Sequence, residues 1–214
     1  WMDVTEEQLV LICDLLERRL KGEPLQYILG EWEFMGLPFY VDERALIPRQ
    51  DTELLCEKAL EIIRTQHSKS VLDLCTGSGC LAVSIAKLAE TDLTVTASDV
   101  STDALALAKE NAILNGVDAS IGWIESDLFD KIPGTFDLIV CNPPYLTRPD
   151  MEHLQTEVAF EPRLALFGGE DGLDIYRRIA SEYKAHLNPG GTLLLEIGST
   201  QAESVSALFG QTAT

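Results

Sequence analysis

From residue 70 onward the chain alternates short apolar runs with helix-length amphipathic segments, and no other feature constrains its fold so tightly. The spacing predicts strands over 70–75, 93–98, 120–125, 136–141 and 191–197, and helices over 80–89, 102–115, 173–187 and 201–209. Strands running the same way need a long crossover between them, and a helix supplies it. The expected class is α/β, a mostly parallel sheet covered by helices on both faces. A chain of 214 residues suits one such domain with a small appendage.

The appendage precedes the alternation. Residues 5–21 predict an amphipathic helix with Thr5 as N-cap and Gly22 as stop. One helix does not bury its own apolar face, so it is expected either to pack on the main domain or to be the last helix of a helical domain cut off upstream, and the abrupt start at Trp1 favours the second. Residues 31–41 predict a hairpin turning at Met35-Gly36. After Pro48-Arg49 a helix runs to about Ile63, with Asp51 or Thr52 as its cap. Only Gln211–Thr214 follow the last helix, where more sheet is expected, so C-terminal strands are expected to be missing too.

The first strand of the alternation runs into Asp73-Leu-Cys-Thr-Gly-Ser-Gly79. Gly77 and Gly79 allow a tight turn and a close approach to a ligand. The spacing is not that of a dinucleotide loop, and no Gly-Lys-Ser/Thr follows as in a phosphate loop. Asp73 repels a pyrophosphate and favours a cation or an amine. A ligand with a positive head and a nucleoside tail fits, which points to S-adenosylmethionine, held by Asp73, Cys75, Thr76, Gly77, Ser78 and Gly79.

The next two strands also end in acids. Asp99 is placed to accept from ribose hydroxyls. Asp127 is placed to accept the adenine amino group, with Leu128 packed on the base. One acid at a strand end is ordinarily a helix cap. Three, at three successive strand ends beside a glycine turn, point to a ligand in the crevice at the carboxyl edge of the sheet.

The fourth strand delivers Asn142-Pro143-Pro144-Tyr145 to the same crevice, bordering the cofactor at Asn142. The prolines fix φ and remove two donors, leaving carbonyls free to accept. An acceptor oxygen from Asn142 and a ring face from Tyr145 complete a rigid edge that suits a flat, conjugated NH2 group. Pro48-Arg49 and Thr52-Glu53 are placed near the methionine end of the cofactor. The long connection 147–172 is read as a lid or substrate-docking surface. Trp32 and Trp123 read as packing residues, and Arg177-Arg178 as a solvated helix face.

Charge separates the substrate classes. Lys and Arg total 16 against 35 Asp and Glu, a net charge of −19. Nucleic-acid affinity comes largely from cations neutralising phosphates, so direct DNA binding is not expected. No apolar run suits a bilayer, and no metal-ligand spacing is present among five Cys and three His. A reduced, cytoplasmic protein is the natural reading.

Together these stretches resemble the HemK/PrmC family of peptide-chain release factor N5-glutamine methyltransferases. The glycine turn, Asp99 and Asn142–Tyr145 are shared with DNA adenine methyltransferases. Residues 22–53 (Gly-Glu-Pro-Leu-Gln-Tyr-Ile-Leu-Gly through Ile-Pro-Arg-Gln-Asp-Thr-Glu) and 157–174 narrow the resemblance to HemK/PrmC. It implies a Rossmann-like catalytic domain over 48–214, a β-hairpin linker over 30–47 and the end of a helical domain over 1–29. It implies methyl transfer from S-adenosylmethionine to the glutamine of a Gly-Gly-Gln motif, leaving S-adenosylhomocysteine. Asn142 Oδ1 and the Pro143 carbonyl would accept the two amide N–H bonds, with Tyr145 and Phe34 sandwiching the group. Two positions depart from the family pattern: Cys75 stands where a first Gly is usual, and Leu128 where some members have an aromatic. A nucleic-acid N-methyltransferase and a non-catalytic S-adenosylmethionine-binding protein are the alternatives.

Overall fold

A computed structural model describes residues 4–210; Trp1 and Gln211–Thr214, on which the two cut ends are expected, lie outside the described residues. The first helix, α1 (Glu6–Leu20), opens with a capping box. Thr5 Oγ1 accepts from Gln8 N at 3.2 Å, and Gln8 Oε1 accepts from Thr5 N at 2.9 Å. None of its residues is buried, and Val10 and Leu20 are 70% and 86% exposed. A short helix α2 (Leu25–Leu29) then leads to the hairpin β1 (Glu31–Phe34) and β2 (Leu37–Tyr40).

The hairpin turns at Met35-Gly36, where φ is +53° and +72°. Positive φ at both central residues matches the right-handed strand twist. The hairpin is pinned from two sides. Tyr40 N donates to Asn111 Oδ1 at 2.7 Å, and Met35 N donates to Glu53 Oε1 at 2.7 Å. Glu53 therefore ties down the hairpin instead of bordering a ligand.

The alternation follows: α3 (Gln50–Gln66), β3 (Ser70–Leu74), α4 (Cys80–Leu88), β4 (Thr94–Asp99), α5 (Thr102–Leu114), β5 (Ile121–Glu125) and β6 (Phe136–Cys141). After α6 (Arg148–Glu152) and α7 (Arg163–Leu166) come α8 (Asp174–Glu182), β7 (Leu187–Leu195) and α9 (Ala202–Phe209). The N-cap of α3 is Arg49, with no side-chain capping bond, so neither Asp51 nor Thr52 caps it. The helix predicted to reach residue 187 ends at Glu182, because the chain tightens into a 3-10 turn before entering β7.

Five parallel strands form the sheet in the order β5-β4-β3-β6-β7. The period of two along each strand splits the core. Val71, Val95, Leu138 and Val140 face α3, α4, α5 and the hairpin. Leu72, Leu74, Ile139 and Cys141 face Phe129, Ile132, Ile179 and Phe209. The connections leave β3 in one direction toward β4 and β5, and return to β6 on its other side. The carboxyl ends of β3 and β6 therefore flank a topological switch point, where open α/β sheets bind ligands. Among the described residues, no helix is long and apolar enough to cross a membrane.

Candidate active site

The glycine turn leaves β3 through Cys75, Gly77 and Gly79, with φ of +61°, +54° and +81°. Cys75 adopts the left-handed conformation that glycine favours, at a cost of about 1 kcal/mol. Cys75, Thr76, Gly77 and Ser78 line a cavity of about 310 Å3. A Cβ on Gly77 would meet nothing nearer than Ala45 Cβ at 4.0 Å, so it would project into ligand space. Gly79 has a different reason to be glycine. A Cβ there would lie 2.9 Å from Ala108 Cβ and 3.1 Å from its Cα, where α4 crosses α5. It does not line the cavity.

Asp73 lies beneath the turn, fully buried and outside the cavity lining. Its Oδ2 accepts from Thr76 Oγ1 at 2.5 Å and from Ala82 N at 3.0 Å, while Oδ1 has no partner among the described residues. The sequence places Asp73 against the cationic head of a ligand. The structure corrects this: strand alternation turns the side chain toward α4, where it satisfies a free first-turn N–H. Burial pushes its carboxyl up to about 7, opposed by the Thr76 and Ala82 bonds.

Asp99, at the end of β4, does reach the cavity. Oδ2 accepts from Gly77 N and Oδ1 from Ser101 N, each at 2.9 Å. These bonds fix the carboxylate and leave each oxygen a lone pair toward the cavity. Burial raises its pKa, and the backbone N–H groups work against that rise. Asp127 stands at the rim with Oδ1 held by the Arg178 guanidinium at 2.8 Å, so one oxygen is free to accept. Arg178 is thus a rim residue rather than a solvated helix charge. Leu128 is 5% exposed, lines the cavity and sits at φ +50°.

β6 delivers Asn142 to the wall between this cavity and a larger groove of about 820 Å3. Asn142 lines both. Pro144 faces the cavity, whereas Pro143 and Tyr145 face the groove. The opposite bank of the groove comes from the 147–172 connection, through Asp150, His153 and Glu157, and from Leu25 and Gln26 of α2. Arg19 on α1 pairs with Glu157 and ties α1 to the 147–172 connection on that bank. Phe34 is not part of this site. It is 1% exposed and packs edge-on against Phe39, with centroids 6.1 Å apart. The hairpin turns alternate residues inward, and Phe34 is the one that enters the core.

Thr52, which the sequence places near the cofactor, lines the cavity, and two further contributors, Glu196 and Glu161, escape the sequence pattern. Thr52 Oγ1 donates to Glu196 Oε2 at 2.7 Å and accepts from Asn142 Nδ2 at 3.0 Å. Glu196 is the first residue beyond β7 and lines the groove. Glu161, 6% exposed, accepts from Ile47 N at 3.0 Å and pairs with Arg49, holding the 45–49 segment that lines both spaces. Glu196 follows the same strand-end logic as Asp99; Glu161 carries no sequence signal beyond its place in the long connection.

The cavity fits an S-adenosyl nucleoside. A glycine wall with room for a ligand, a fixed carboxylate at the second strand end and an apolar residue at the third match its turn, ribose and base. No lysine or arginine lies within the glycine turn to bind a pyrophosphate.

Comparison with known proteins points the same way. The Methyltransferase small domain family matches residues 50–160, and the PrmC N-terminal domain matches residues 1–30. The chain is 48% identical to a protein of Geobacter sulfurreducens named release factor glutamine methyltransferase, covering 96% of this chain and 72% of that one. It is 43% identical to one of the same name from Clostridium acetobutylicum, covering 97% and 74%. The crystal structure of a methyltransferase from Pyrococcus furiosus shares the fold at a TM-score of 0.60 and 17% identity, covering 96% of this chain and 86% of that one.

Proposed function

The chain belongs to the release factor glutamine methyltransferase family, and from that premise we propose that it methylates the glutamine side-chain nitrogen in the Gly-Gly-Gln motif of peptide-chain release factors. One observation carries the reading: Asn142 lies in the wall shared by a nucleoside-sized cavity and an open groove. A group there touches both reactants.

S-adenosylmethionine, when bound, supplies a methyl carbon made electrophilic by its sulfonium. Cys75, Thr76, Gly77 and Ser78 would hold it by their backbone, Asp99 by its ribose, and Leu128 and the free oxygen of Asp127 by its base. The substrate enters from the groove. Asn142 Oδ1 and the Pro143 carbonyl accept the two N–H bonds of the glutamine amide, and Pro144 closes the wall behind it. Tyr145 supplies the flat face, without Phe34 opposite.

An amide nitrogen is a weak nucleophile because its lone pair is delocalised. Two acceptors on its N–H bonds hold it in line and push electron density onto nitrogen. Positioning and electrostatics of this kind supply several kcal/mol. On transfer the glutamine nitrogen would gain the N–C bond, the C–S pair would stay with sulfur, and one N–H proton would pass to water. A substrate used in translation termination is consistent with a cytoplasmic protein.

Mass spectrometry of a release factor incubated with the protein and S-adenosylmethionine tests this. One methyl on the Gly-Gly-Gln glutamine is the expected result. An unmodified release factor alongside labelled DNA or RNA would overturn it.

A further inference from the structure

We propose that Glu196 and Thr52 form a positioning relay that fixes which atom of the Asn142 side-chain amide faces the substrate. Asn142 serves the reaction only with its oxygen toward the glutamine, since its nitrogen can donate but not accept. An amide is nearly symmetrical in shape, so packing alone does not choose between the two orientations. Hydrogen-bond polarity does.

The relay starts at a group with one possible polarity. An ionised carboxylate only accepts, so Glu196 Oε2 commits the single Thr52 proton at 2.7 Å. Thr52 Oγ1 then presents only lone pairs to Asn142. Nδ2 meets them at 3.0 Å, while Oδ1 in its place would face a lone pair. Oδ1 accepts no bond among the described residues and is left for the substrate.

The relay is rigidly held. Thr52 is 2% exposed. Glu196 N donates to Cys141 O at 3.0 Å, and Tyr176 Oη donates to Glu196 O at 2.8 Å, so the backbone of Glu196 is pinned beside Asn142. The relay spans both spaces: Thr52 lines the cavity, Glu196 the groove and Asn142 both.

A proton on Glu196 reverses the chain. The carboxyl O–H donates to Thr52, the Thr52 proton turns toward Asn142, and the amide favours Oδ1 inward and Nδ2 outward. Burial raises the Glu196 carboxyl. The Thr52 bond opposes this, Asp51 adds to the rise, and the Asn142 amide and Arg49 work against it. The Tyr145 and Tyr176 phenols are the other titratable groups facing it, both raised by burial and neutral at working pH. Turnover therefore declines on the acid side as Glu196 protonates.

The relay rests on the reading of Asn142 as the amide acceptor, and the experiment separates the two. Steady-state methylation of a release factor is measured from about pH 5 to 9 for wild type, Asn142→Ala, Thr52→Val, Thr52→Ser and Glu196→Gln. Thr52→Val is expected to lower kcat roughly 10- to 100-fold, with KM for the release factor nearly unchanged. Thr52→Ser recovers most of that loss, because it restores the hydroxyl. Glu196→Gln, which accepts or donates equally well, lowers kcat and abolishes the acid limb. An Asn142→Ala variant as active as wild type overturns the reading of Asn142 itself. An inactive Asn142→Ala variant, with Thr52→Val at wild-type kcat or Glu196→Gln keeping the acid limb, overturns the relay alone.

Discussion

Asn142 Nδ2 donates to Thr52 Oγ1 at 3.0 Å, across 90 residues of chain, joining the end of the fourth sheet strand to the first turn of α3. The bond makes the asparagine a fixed instrument rather than a mobile side chain. Replacing Asn142 with Ala removes an acceptor that works on the substrate and leaves the glycine turn, Asp99 and Leu128 of the nucleoside cavity in place. Loss of one such preorganised group costs about 100- to 1,000-fold in kcat. Calorimetric titration should show S-adenosylmethionine binding close to wild type. A variant that turns over normally would remove Asn142 from the mechanism.

Gly77 and Gly79 predict opposite outcomes for the same substitution. Gly79→Ala drives a Cβ into the Ala108 backbone at positive φ, so overpacking and strain together cost roughly 2–4 kcal/mol. Gly77→Ala meets no protein atom closer than 4.0 Å, so beyond a left-handed backbone strain of about 1 kcal/mol it chiefly loses cofactor affinity. Thermal melts with and without S-adenosylmethionine separate the two. The Gly79 variant melts early in both, while the Gly77 variant chiefly loses the ligand-induced shift.

Asp73 predicts how stability varies with pH. Its folded pKa is raised to about 7 from an ordinary 3.8. Between those values the folded protein holds a proton that the unfolded chain has released, so this group makes stability fall as pH rises from about 4 to 7. Above that window the full cost is present. Asp73→Asn carries no such charge and keeps an oxygen for Thr76 and Ala82. Urea denaturation across this range should show the variant gaining on wild type as pH climbs. Curves that stay parallel would mean that Asp73 is ionised throughout.

Glu161 predicts a coupled loss. Glu161→Ala strands the Ile47 N–H and releases Arg49, both on the segment lining the cavity and the groove. A buried donor left unpaired costs about 1–3 kcal/mol. KM should rise for the cofactor and for the release factor together, read from kinetics with each reactant varied in turn. A rise for only one would place the segment in a single site.

The sheet and its helices are legible in the sequence because parallel strands are apolar on both faces and are bounded by turns. Asp99 and the Asn142–Tyr145 edge follow from strand ends alone. Glu196 obeys the same rule, yet the apolar pattern extends the last strand to residue 197 and hides it as an interior residue; the strand ends at Leu195. Thr52 is legible as a helix cap and as a neighbour of the cofactor, but not by its partners. Its real partners lie 90 and 144 residues away, and only the docking of α3 against the strand ends brings them together. Asp73 and Phe34 are misplaced for one reason: residue type suggests chemistry, but the parity of a position in its strand decides which way the side chain turns.

The central place of β3 has a consequence during synthesis. β3 emerges early and pairs with β4, but its other edge waits for β6, whose own far edge waits for β7. At about 5–20 residues per second, the ribosome takes several seconds to cover the stretch from Asn142 to Glu196. For that interval a nascent chain shows an open, apolar strand edge, the kind that recruits other chains. Ribosome stalling in this stretch should therefore yield aggregates or chaperone-bound intermediates, whereas stalling after β7 has emerged should leave the β6 edge covered.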